Sequence, residues 1–279
     1  MEKTHTAILM ATYNGGKHLR DQIDSILAQS DQDWTLYVHD DGSTDDTMEL
    51  LQEYATRHDK VKLLDYASAG GACANFLSIL EKVEADYYFY ADQDDIWLED
   101  KIKLTRAEML KQEQERPGLP VVVHTDLYVV DERLDIINKS FMVYAGIHPE
   151  FLTTFDECVI PFVTGCTMMF NAEAKKATCI SESYAFMHDC WIALNCISKQ
   201  GAIIFIPHPL VLYRQHGTNT VGARDIKKVT LGYRMNHILS ILRHNKDYYR
   251  MLHRLGYGSV FKYIKYKIKY HHRVHQNKE

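Results

Sequence analysis

The sequence contains no Cys-x-x-Cys pair and no apolar run near the roughly 18 residues that a membrane-spanning helix needs. Its six cysteines therefore suggest neither a zinc site nor a secreted disulfide framework. No basic and then apolar signal peptide opens the chain, so a reducing cytosol is the expected compartment. The longest apolar stretches, at 202–206 and 209–213, are strand-sized, and we expect a chain that does not span a membrane.

The composition is that of an ordinary globular protein, with one asymmetry of charge. The chain has 279 residues, of which 46% are hydrophobic and 25% charged, so it can bury a substantial core. Residues 224–279 hold 14 Lys and Arg against three Asp and Glu, a net charge of +11, whereas residues 1–223 carry −16. We therefore predict a folded domain at 1–223 and a basic, helical C-terminal extension at 224–279.

Strand and helix patterns alternate in the N-terminal third of the chain. Residues 6–27 read as a buried strand, a turn with Asn and Gly, and a helix with one apolar face. Strand and then helix recur at 34–54 and at 61–80, and an aromatic strand follows at 87–91. This alternation favours an α/β fold with a mostly parallel sheet, in which ligands bind outside the carboxyl ends of the strands.

Three polar clusters, at residues 12–16, 40–43 and 92–95, each follow one of these strands. The last has the order Asp-Gln-Asp-Asp, and so much charge beside a buried strand needs a cationic partner. Mg²⁺ and Mn²⁺ take oxygen ligands, often one or two carboxylates together with substrate phosphates. We therefore predict one metal-containing site at these strand ends; unrelated, solvated acidic loops are the alternative.

Further elements are predicted along the rest of the chain. They are, in order, a helix at 99–115, a strand at 121–126 that 126–131 continues or reverses, a loop region with short helices at 136–154, a strand that ends near 171, strands at 202–206 and 210–213, and a helix at 225–254. No role is assigned to the aromatic, poorly periodic segment 136–154.

Three single residues in the second half are further candidates. Gly165 lies in a run of small residues before a strand, where a ligand can approach the backbone, although an ordinary turn has the same pattern. Asp189 precedes an apolar helical run and in isolation reads as a helix cap. His216 lies in the polar loop 214–220, which can face a phosphate or a metal; a lone histidine is more often structural.

The C-terminal segment combines lysine with aromatic and aliphatic residues. Residues 257–270 alternate Lys with Tyr, Phe and Ile, a pattern that suits an anionic surface. Phospholipid and nucleic acid both qualify physically. We expect attachment to an anionic membrane and no nucleic acid; a solvated tail, a tail folded onto the acidic body and a dimer contact are the alternatives.

The order and spacing of several motifs closely resemble those of family 2 glycosyltransferases. The motifs are Ile-Leu-Met-Ala-Thr-Tyr-Asn-Gly at 8–15, Asp-Asp-Gly-Ser-Thr-Asp at 40–45, Ala-Asp-Gln-Asp-Asp-Ile-Trp at 91–97 and His-Asp-Cys-Trp at 188–191. With residues 163–167 and 213–217, the chain is similar to the bacterial rhamnosyltransferase-like branch that builds cell-surface polysaccharides. The resemblance covers residues 6 to about 222. It implies the GT-A fold, an α/β fold with a nucleotide-binding, Rossmann-like mixed sheet.

The resemblance also implies a role for each motif. Asp92 and Asp94 would form a metal-binding Asp-x-Asp for Mg²⁺ or Mn²⁺, with Asp94 preferred as the direct ligand. Asp189 would be the catalytic base, with His188 to orient it, and His216 would reach the metal or the diphosphate. The expected substrate contacts are Thr12, Tyr13, Asn14, Asp40, Asp41, Asp92, Gln93, Gly165, His188 and Trp191. A basic residue that the family often places near 70–75 is missing from this sequence.

These residue types suit one chemistry in particular. A nucleoside diphosphate leaves without a proton but develops negative charge, which a divalent cation stabilises as a Lewis acid. One carboxylate then suffices as the base that takes the proton of the acceptor hydroxyl. We expect an inverting, metal-dependent glycosyltransferase that moves a sugar such as rhamnose from a dTDP- or UDP-sugar to a glycan or lipid-linked glycan at the inner face of the cell membrane. A nucleotidyltransferase and a non-catalytic nucleotide-sugar or glycan-binding module are the alternatives.

Overall fold

A mixed sheet of nine strands is the framework of the described chain. The computed structural model describes residues 5–153, 158, 160–178, 180, 185–217 and 238–276, apart from the side chains of 238–244 and 275. The strands are β1 (Thr6–Thr12), β2 (Thr35–Asp40), β3 (Val61–Leu63), β4 (Tyr87–Ala91), β5 (Ile96–Trp97), β6 (Val121–Val130), β7 (Ile136–Asn138), β8 (Met168–Asn171) and β9 (Ala202–Arg214).

Helices connect most of these strands and cover the sheet. The α-helices of the described ranges are α1 (Gly16–Leu27), α2 (Thr47–Arg57), α3 (Ala72–Lys82), α4 (Lys101–Glu115), α5 (Phe141–Ala145), α6 (Ala172–Ala177), α7 (His188–Ser198), α8 (Ile238–Arg254) and α9 (Val260–Gln276). Single turns of 3-10 helix at Pro149–Phe151 and Gly165–Thr167 lie between α5 and β8.

The sheet has a parallel N-terminal half and a mixed C-terminal half. Its strand order is β3-β2-β1-β4-β8-β6-β9-β5, and β7 pairs with β6. The first four of these strands are parallel to one another, whereas β8 runs antiparallel to both β4 and β6. Strands β6 and β9 are parallel to each other. The predicted parallel pattern thus holds for the repeated strand–helix units.

Both faces of the central strands are buried, as expected for a parallel sheet with helices on each side. All five residues of β4 are buried. On one face Phe89 belongs to a core cluster that includes Ile23 of α1, and on the other Tyr88 belongs to a cluster that includes Phe76 of α3. This packing holds the carboxyl end of β4, and with it residues 92–95, in a defined place.

Several short or irregular elements differ from the prediction. The late strands predicted at 202–206 and 210–213 are the single strand β9, whose register with β6 shifts between Ile206 and Pro209. The intervening Pro207 has no N–H to donate, so pairing passes over it in a bulge. Strands β5 and β7 and helix α6 were not predicted, because two to six residues are too few to show a hydrophobic period.

Helices α8 and α9 form the described part of the C-terminal extension. The predicted domain boundary at 223/224, the predicted helical residues 225–237 and the end of the polar loop at 218–220 lie outside the described residues. Tyr248, Met251 and Leu252 of α8 share a buried cluster with Trp191 and Leu194 of α7. No helix in the described ranges is long and apolar enough to cross a bilayer.

Candidate active site

The carboxyl ends of β1, β2 and β4 meet at one edge of the sheet. Thr12 at the end of β1 is paired in register with Asp40 at the end of β2, and Met10 is paired with Ala91 at the end of β4. The three polar clusters that follow these strands therefore lie side by side. The sheet topology produces this proximity from residues up to 80 positions apart in sequence.

The first two clusters are joined by side-chain hydrogen bonds. Thr12 donates its hydroxyl to Oδ1 of Asp40 at 2.9 Å. The other oxygen of Asp40 accepts from the backbone N–H groups of Gly42 and Ser43 at 3.0 and 2.7 Å. Asn14 adopts a left-handed φ of 47° and accepts a hydrogen bond from the Thr44 N–H at 2.8 Å. Thr12, Asn14 and Asp40 thus build the two loops that would surround a donor.

Asp41 connects the second cluster to the loop before α3. Its carboxylate accepts from the Ser68 hydroxyl at 2.7 Å and from the backbone N–H groups of Ala69 and Gly71, each at 2.6 Å. Burial acts to raise the pKa of Asp41, but these hydrogen bonds outweigh it and leave the pKa below its ordinary value. The N-terminus of α3 is therefore held beside the strand ends by an ionised carboxylate.

Gln93 of the acidic loop holds the backbone of Tyr13. Its Oε1 accepts from the Tyr13 N–H at 2.9 Å, and its Nε2 donates to the Tyr13 carbonyl at 3.0 Å. The Tyr13 side chain is 58% exposed. Gln93 thus contacts the first loop directly and presents an aromatic ring at the rim of the site.

The three acidic side chains at 92–95 have different surroundings. Asp94 lies 2.7 Å from Nε2 of His216, measured to Oδ2, although the two residues are 122 positions apart. Asp92 is partly buried; burial, then the charges of Asp94 and Asp189, raise its pKa to about 7. Asp95 is fully buried, and its pKa is raised by burial and by Asp94 and Asp92.

This arrangement fits a divalent cation. The carboxylates repel one another at short range, and an added positive charge would relieve that repulsion. Two donor sets can be drawn from these residues. In the first, Asp92 and Asp94 with His216, the contact that the structure shows is that of Asp94 with His216 at 2.7 Å. In the second, Asp92 with Asp95 and Cys166, all the ligand atoms lie within 4.8 Å of one another. The first set lies nearer the surface and contains the Asp-x-Asp carboxylates. A hard cation such as Mg²⁺ or Mn²⁺ favours it over the buried thiol.

Arg214 is a functional candidate that the sequence reasoning did not assign a role. Its buried guanidinium donates to the carbonyl of Asp94 at 3.1 Å, to Oδ2 of Asp21 at 2.9 Å and to the carbonyl of Glu132 at 3.2 Å. Its backbone N–H donates to Oδ1 of Asp95 at 3.3 Å. Arg214 therefore connects the acidic loop to α1 and to the end of β6.

Lys101 was likewise missed. This lysine is fully buried, with its Nζ 3.8 Å from the Trp97 ring centroid and 4.4 Å from that of Phe89. Burial lowers the pKa of Lys101 to about 7, against the opposing effects of Cys166 and Asp95. A buried lysine is rare without a charged partner, and the Nζ of Lys101 has no hydrogen-bond partner in the described part of the chain.

Asp189 lies in the first turn of α7 and is nearly fully buried. Its Oδ2 accepts from the backbone N–H of Gly165 at 3.0 Å, and its Oδ1 accepts from the N–H of Cys190 at 2.7 Å. The charge of Asp189 is close enough to the acidic loop to raise the pKa of Asp92. The structure therefore brings the predicted base and the predicted metal ligands to one site.

His188 does not hydrogen-bond to Asp189. Its ring is buried, stacks on Phe76 at 4.2 Å and meets the edge of Tyr90 at 4.6 Å between centroids. Neither of its ring nitrogens has a hydrogen-bond partner within the described part of the chain. A Cβ at position 165 would lie 2.8 Å from Nε2 of His188, so only glycine fits there. His188 thus supports Gly165 by packing.

Trp191 lies apart from the polar clusters. Its side chain is buried in the cluster formed by α7 and α8, where Tyr248, Met251 and Leu252 surround it. The sequence could not indicate this position of Trp191. Residues 188–196 are buried on all sides of the helix, so no polar face in the sequence marks which side packs against α8.

Known proteins match both the sequence and the fold. Residues 7–177 match the model of the family described as Glycosyl transferase family 2. The dTDP-rhamnosyl transferase RfbG of Shigella flexneri is 28% identical over 226 residues, which are 77% of this chain and 74% of that protein. The UDP-Glc:alpha-D-GlcNAc-diphosphoundecaprenol beta-1,3-glucosyltransferase WfgD of Escherichia coli is 31% identical over 153 residues, 55% of this chain and 54% of that protein.

A solved structure has a similar fold. The mannosyltransferase PcManGT from Pyrobaculum calidifontis, in complex with GDP-Man and Mn²⁺, aligns with a TM-score of 0.56 at 15% identity. The alignment covers 90% of this chain and 65% of that chain. The predicted GT-A fold with a mixed sheet is confirmed by this likeness together with the family match.

Proposed function

The chain belongs to glycosyl transferase family 2, and we propose that it moves a sugar from a nucleoside diphosphate to a growing glycan, with inversion at the anomeric carbon and with a bound divalent cation. One observation carries the proposal: Asp189 is held by the N–H of Gly165, and the thiol of the next residue, Cys166, lies within 4.8 Å of the Asp92 and Asp95 carboxylates. The proposed base would thus lie beside the proposed diphosphate site, as a single displacement requires.

The donor nucleotide would lie across the ends of β1 and β2. The exposed Tyr13 ring is available to stack on the base, while Thr12 and Asp40 shape the loop beneath it. Asn14 joins this loop to its neighbour. Asp41 holds the loop before α3, whose backbone would face the same nucleotide. These contacts orient the donor without taking part in the bond change.

The diphosphate would lie at the acidic loop. Asp94 and Asp92, with His216, would hold Mg²⁺ or Mn²⁺, and the cation would stabilise the charge that develops on the leaving diphosphate. His216 already contacts Asp94, and Arg214 holds the carbonyl of the same residue. The acidic loop is therefore held through both the side chain and the backbone carbonyl of Asp94.

Asp189 would act on the acceptor. Its carboxylate would accept the proton of the acceptor hydroxyl as that oxygen attacks the anomeric carbon from the face opposite the diphosphate. The N–H groups of Gly165 and Cys190 fix the orientation of the carboxylate. No second carboxylic acid is needed, because the diphosphate leaves unprotonated.

The proposal extends to the donor sugar, the acceptor and the division of the chain into two parts. A relative is named a dTDP-rhamnosyl transferase, which supports a deoxysugar such as rhamnose on dTDP or UDP. Another is named for a diphosphoundecaprenol acceptor, which supports a lipid-linked glycan at the inner membrane face. We propose residues 1–223 as the transferase domain and 224–279 as a basic extension, which packs on α7 through α8.

Release of nucleoside diphosphate from a panel of sugar nucleotides tests the proposal. The purified chain with Mn²⁺ or Mg²⁺ should consume one donor in the presence of a lipid-linked glycan acceptor, and the product should have the opposite anomeric configuration. EDTA should abolish turnover. Release of pyrophosphate from a nucleoside triphosphate would instead indicate nucleotidyl transfer, and donor binding without turnover on any acceptor would indicate a binding module.

A further inference from the structure

Helix α9 has one face packed against the protein and one face in solvent. Tyr270 and Val274 are buried, and the Tyr270 hydroxyl accepts a hydrogen bond from the His148 N–H at 3.4 Å. The packed face anchors the helix, so the opposite face cannot turn inward.

The solvent face of α9 carries large apolar side chains. Phe261 is 79% exposed, Ile264 48% and Ile268 61%. At about 100° per residue these three positions lie within about 60° of arc and form a continuous stripe. Exposed apolar side chains arranged in a stripe indicate a surface that becomes covered.

Lysines lie along one flank of this stripe. Lys262, Lys265 and Lys269 are exposed, and the sequence of α9 contains no Asp or Glu. Lysine side chains extend apolar stems over such a stripe and place their ammonium groups beyond it. The face therefore combines an apolar stripe with a row of positive charges.

We propose that this outer face of α9, formed by Phe261, Ile264 and Ile268 with Lys262, Lys265 and Lys269, binds an anionic lipid bilayer. The apolar stripe enters the boundary between head groups and acyl chains, and the lysines contact the anionic head groups. The helix lies in the plane of the membrane surface and does not cross it. Lipid binding at this face is separate from sugar transfer and is tested without it.

The charges of the face argue against a second copy of the chain as its partner. A two-fold dimer places the same patch against itself, so the lysines of one copy would meet those of the other with no acidic residue on either helix. Nucleic acid would attract the lysines but would leave Phe261 and the two isoleucines in water. A bilayer with anionic lipids satisfies both components.

Docking through α9 also orients the candidate active site. The neighbouring Tyr257 hydroxyl donates to the Leu194 carbonyl of α7 at 2.5 Å, and α7 carries Asp189. The base-bearing helix is thus joined to the segment that leads into the docking helix. If the proposed function holds, docking through α9 would bring the transferase to the membrane that holds a lipid-linked acceptor.

Vesicle co-sedimentation of the full chain tests the proposal. We expect binding to vesicles of phosphatidylglycerol and phosphatidylcholine that weakens with salt, and little binding to phosphatidylcholine alone. The variant Phe261→Ser/Ile264→Ser/Ile268→Ser should bind at least about tenfold more weakly. The variant Lys262→Gln/Lys265→Gln/Lys269→Gln should lose most of the salt dependence.

Helix α4 offers matched controls, because it also exposes leucines and lysines. Leu104→Ser/Leu110→Ser and Lys103→Gln/Lys111→Gln change exposed side chains of the same chemical types and should leave vesicle binding unchanged. Unaltered thermal unfolding would show that the α9 variants fold. Equal binding by the serine variant, no binding by the unmodified chain, or a dimer that the serine variant abolishes in the absence of lipid would each overturn the proposal.

Discussion

Oδ2 of Asp189 accepts a hydrogen bond from the backbone N–H of Gly165 at 3.0 Å, across 24 positions of sequence. The packing around this contact favours glycine, because a Cβ at position 165 would lie 2.8 Å from Nε2 of His188 and one of the two would have to move. The orientation of the proposed base thus depends on a residue that has no side chain. The ring of His188 limits the space that is available at position 165.

Substitution of Gly165 by alanine should impair transfer more than donor binding. The added methyl group must displace either the 165 backbone or His188, and a shift of about 1 Å at a reacting group costs on the order of a hundredfold in rate. We expect kcat to fall by about that factor, with a smaller change in the donor KM, measured by steady-state kinetics. Gly217→Ala is the control, because no atom of the described residues other than its chain neighbours lies within 4 Å of the added Cβ. Unchanged kcat in Gly165→Ala would contradict this role.

Asp94→Asn should raise the concentration of Mn²⁺ needed for half-maximal donor binding by at least about tenfold, because a carboxylate ligand of the cation is lost. Isothermal titration with the donor at several Mn²⁺ concentrations measures the effect. Asp59→Asn, at an exposed position distant in sequence, is the control. If Asp95→Asn weakened the Mn²⁺ dependence and Asp94→Asn did not, the buried donor set with Cys166 would be the metal site.

Trp191→Phe should lower stability and leave the donor KM unchanged. The indole is buried between α7 and α8, and loss of part of a large buried aromatic side chain costs about 1 to 3 kcal/mol. Urea unfolding and steady-state kinetics on the same preparation separate the two effects. A raised donor KM at unchanged stability would restore Trp191 to the substrate-binding residues.

His124→Phe should remove part of the acid sensitivity of folding. His124 is fully buried, and burial alone lowers its pKa to about 3, from 6.5 in the unfolded chain. Between these values the unfolded state binds a proton that the folded state does not, so stability is present above pH 6.5 and is lost as the pH falls. The loss is about 1.4 kcal/mol per pH unit below 6.5.

Urea unfolding at pH 7 and pH 5 measures this difference. The stability of His124→Phe relative to the unmodified chain should increase by about 2 kcal/mol at the lower pH. The phenyl ring would take the place of the imidazole beside Phe162 and Phe205, at a cavity of about 230 Å³. His253→Gln, on the exposed surface of α8, should show no such shift. If His124→Phe and the unmodified chain differed in stability by the same amount at both pH values, this prediction would be wrong.

The sequence could predict features that depend on local pattern. The ends of β1, β2 and β4 coincide with polar clusters, and parallel pairing brings such ends together, so the site's place in the sheet followed from the pattern alone. Asp189, by contrast, has the local pattern of a helix cap, and only the motif resemblance indicates a catalytic role for it. Its role depends on Gly165, and no period in the sequence relates the two.

Other features depend on contacts that no pattern encodes. Arg214 is buried because its partners Asp21, Asp94 and Glu132 converge on it from three segments, the farthest 193 positions away. Lys101 contradicts the rule that lysines are exposed, since its ammonium group lies against the buried rings of Trp97 and Phe89. These residues were missed because the fold, rather than the local sequence, creates their surroundings.

The most direct test of the central claim is the turnover of Asp189→Asn with its donor and acceptor. The amide has nearly the same shape but cannot accept the proton of the acceptor hydroxyl. We predict that nucleoside diphosphate release falls by about 10² to 10⁴-fold, while Mn²⁺-dependent donor binding, measured by isothermal titration, is unchanged. Transfer at the rate of the unmodified chain would show that Asp189 is not the base.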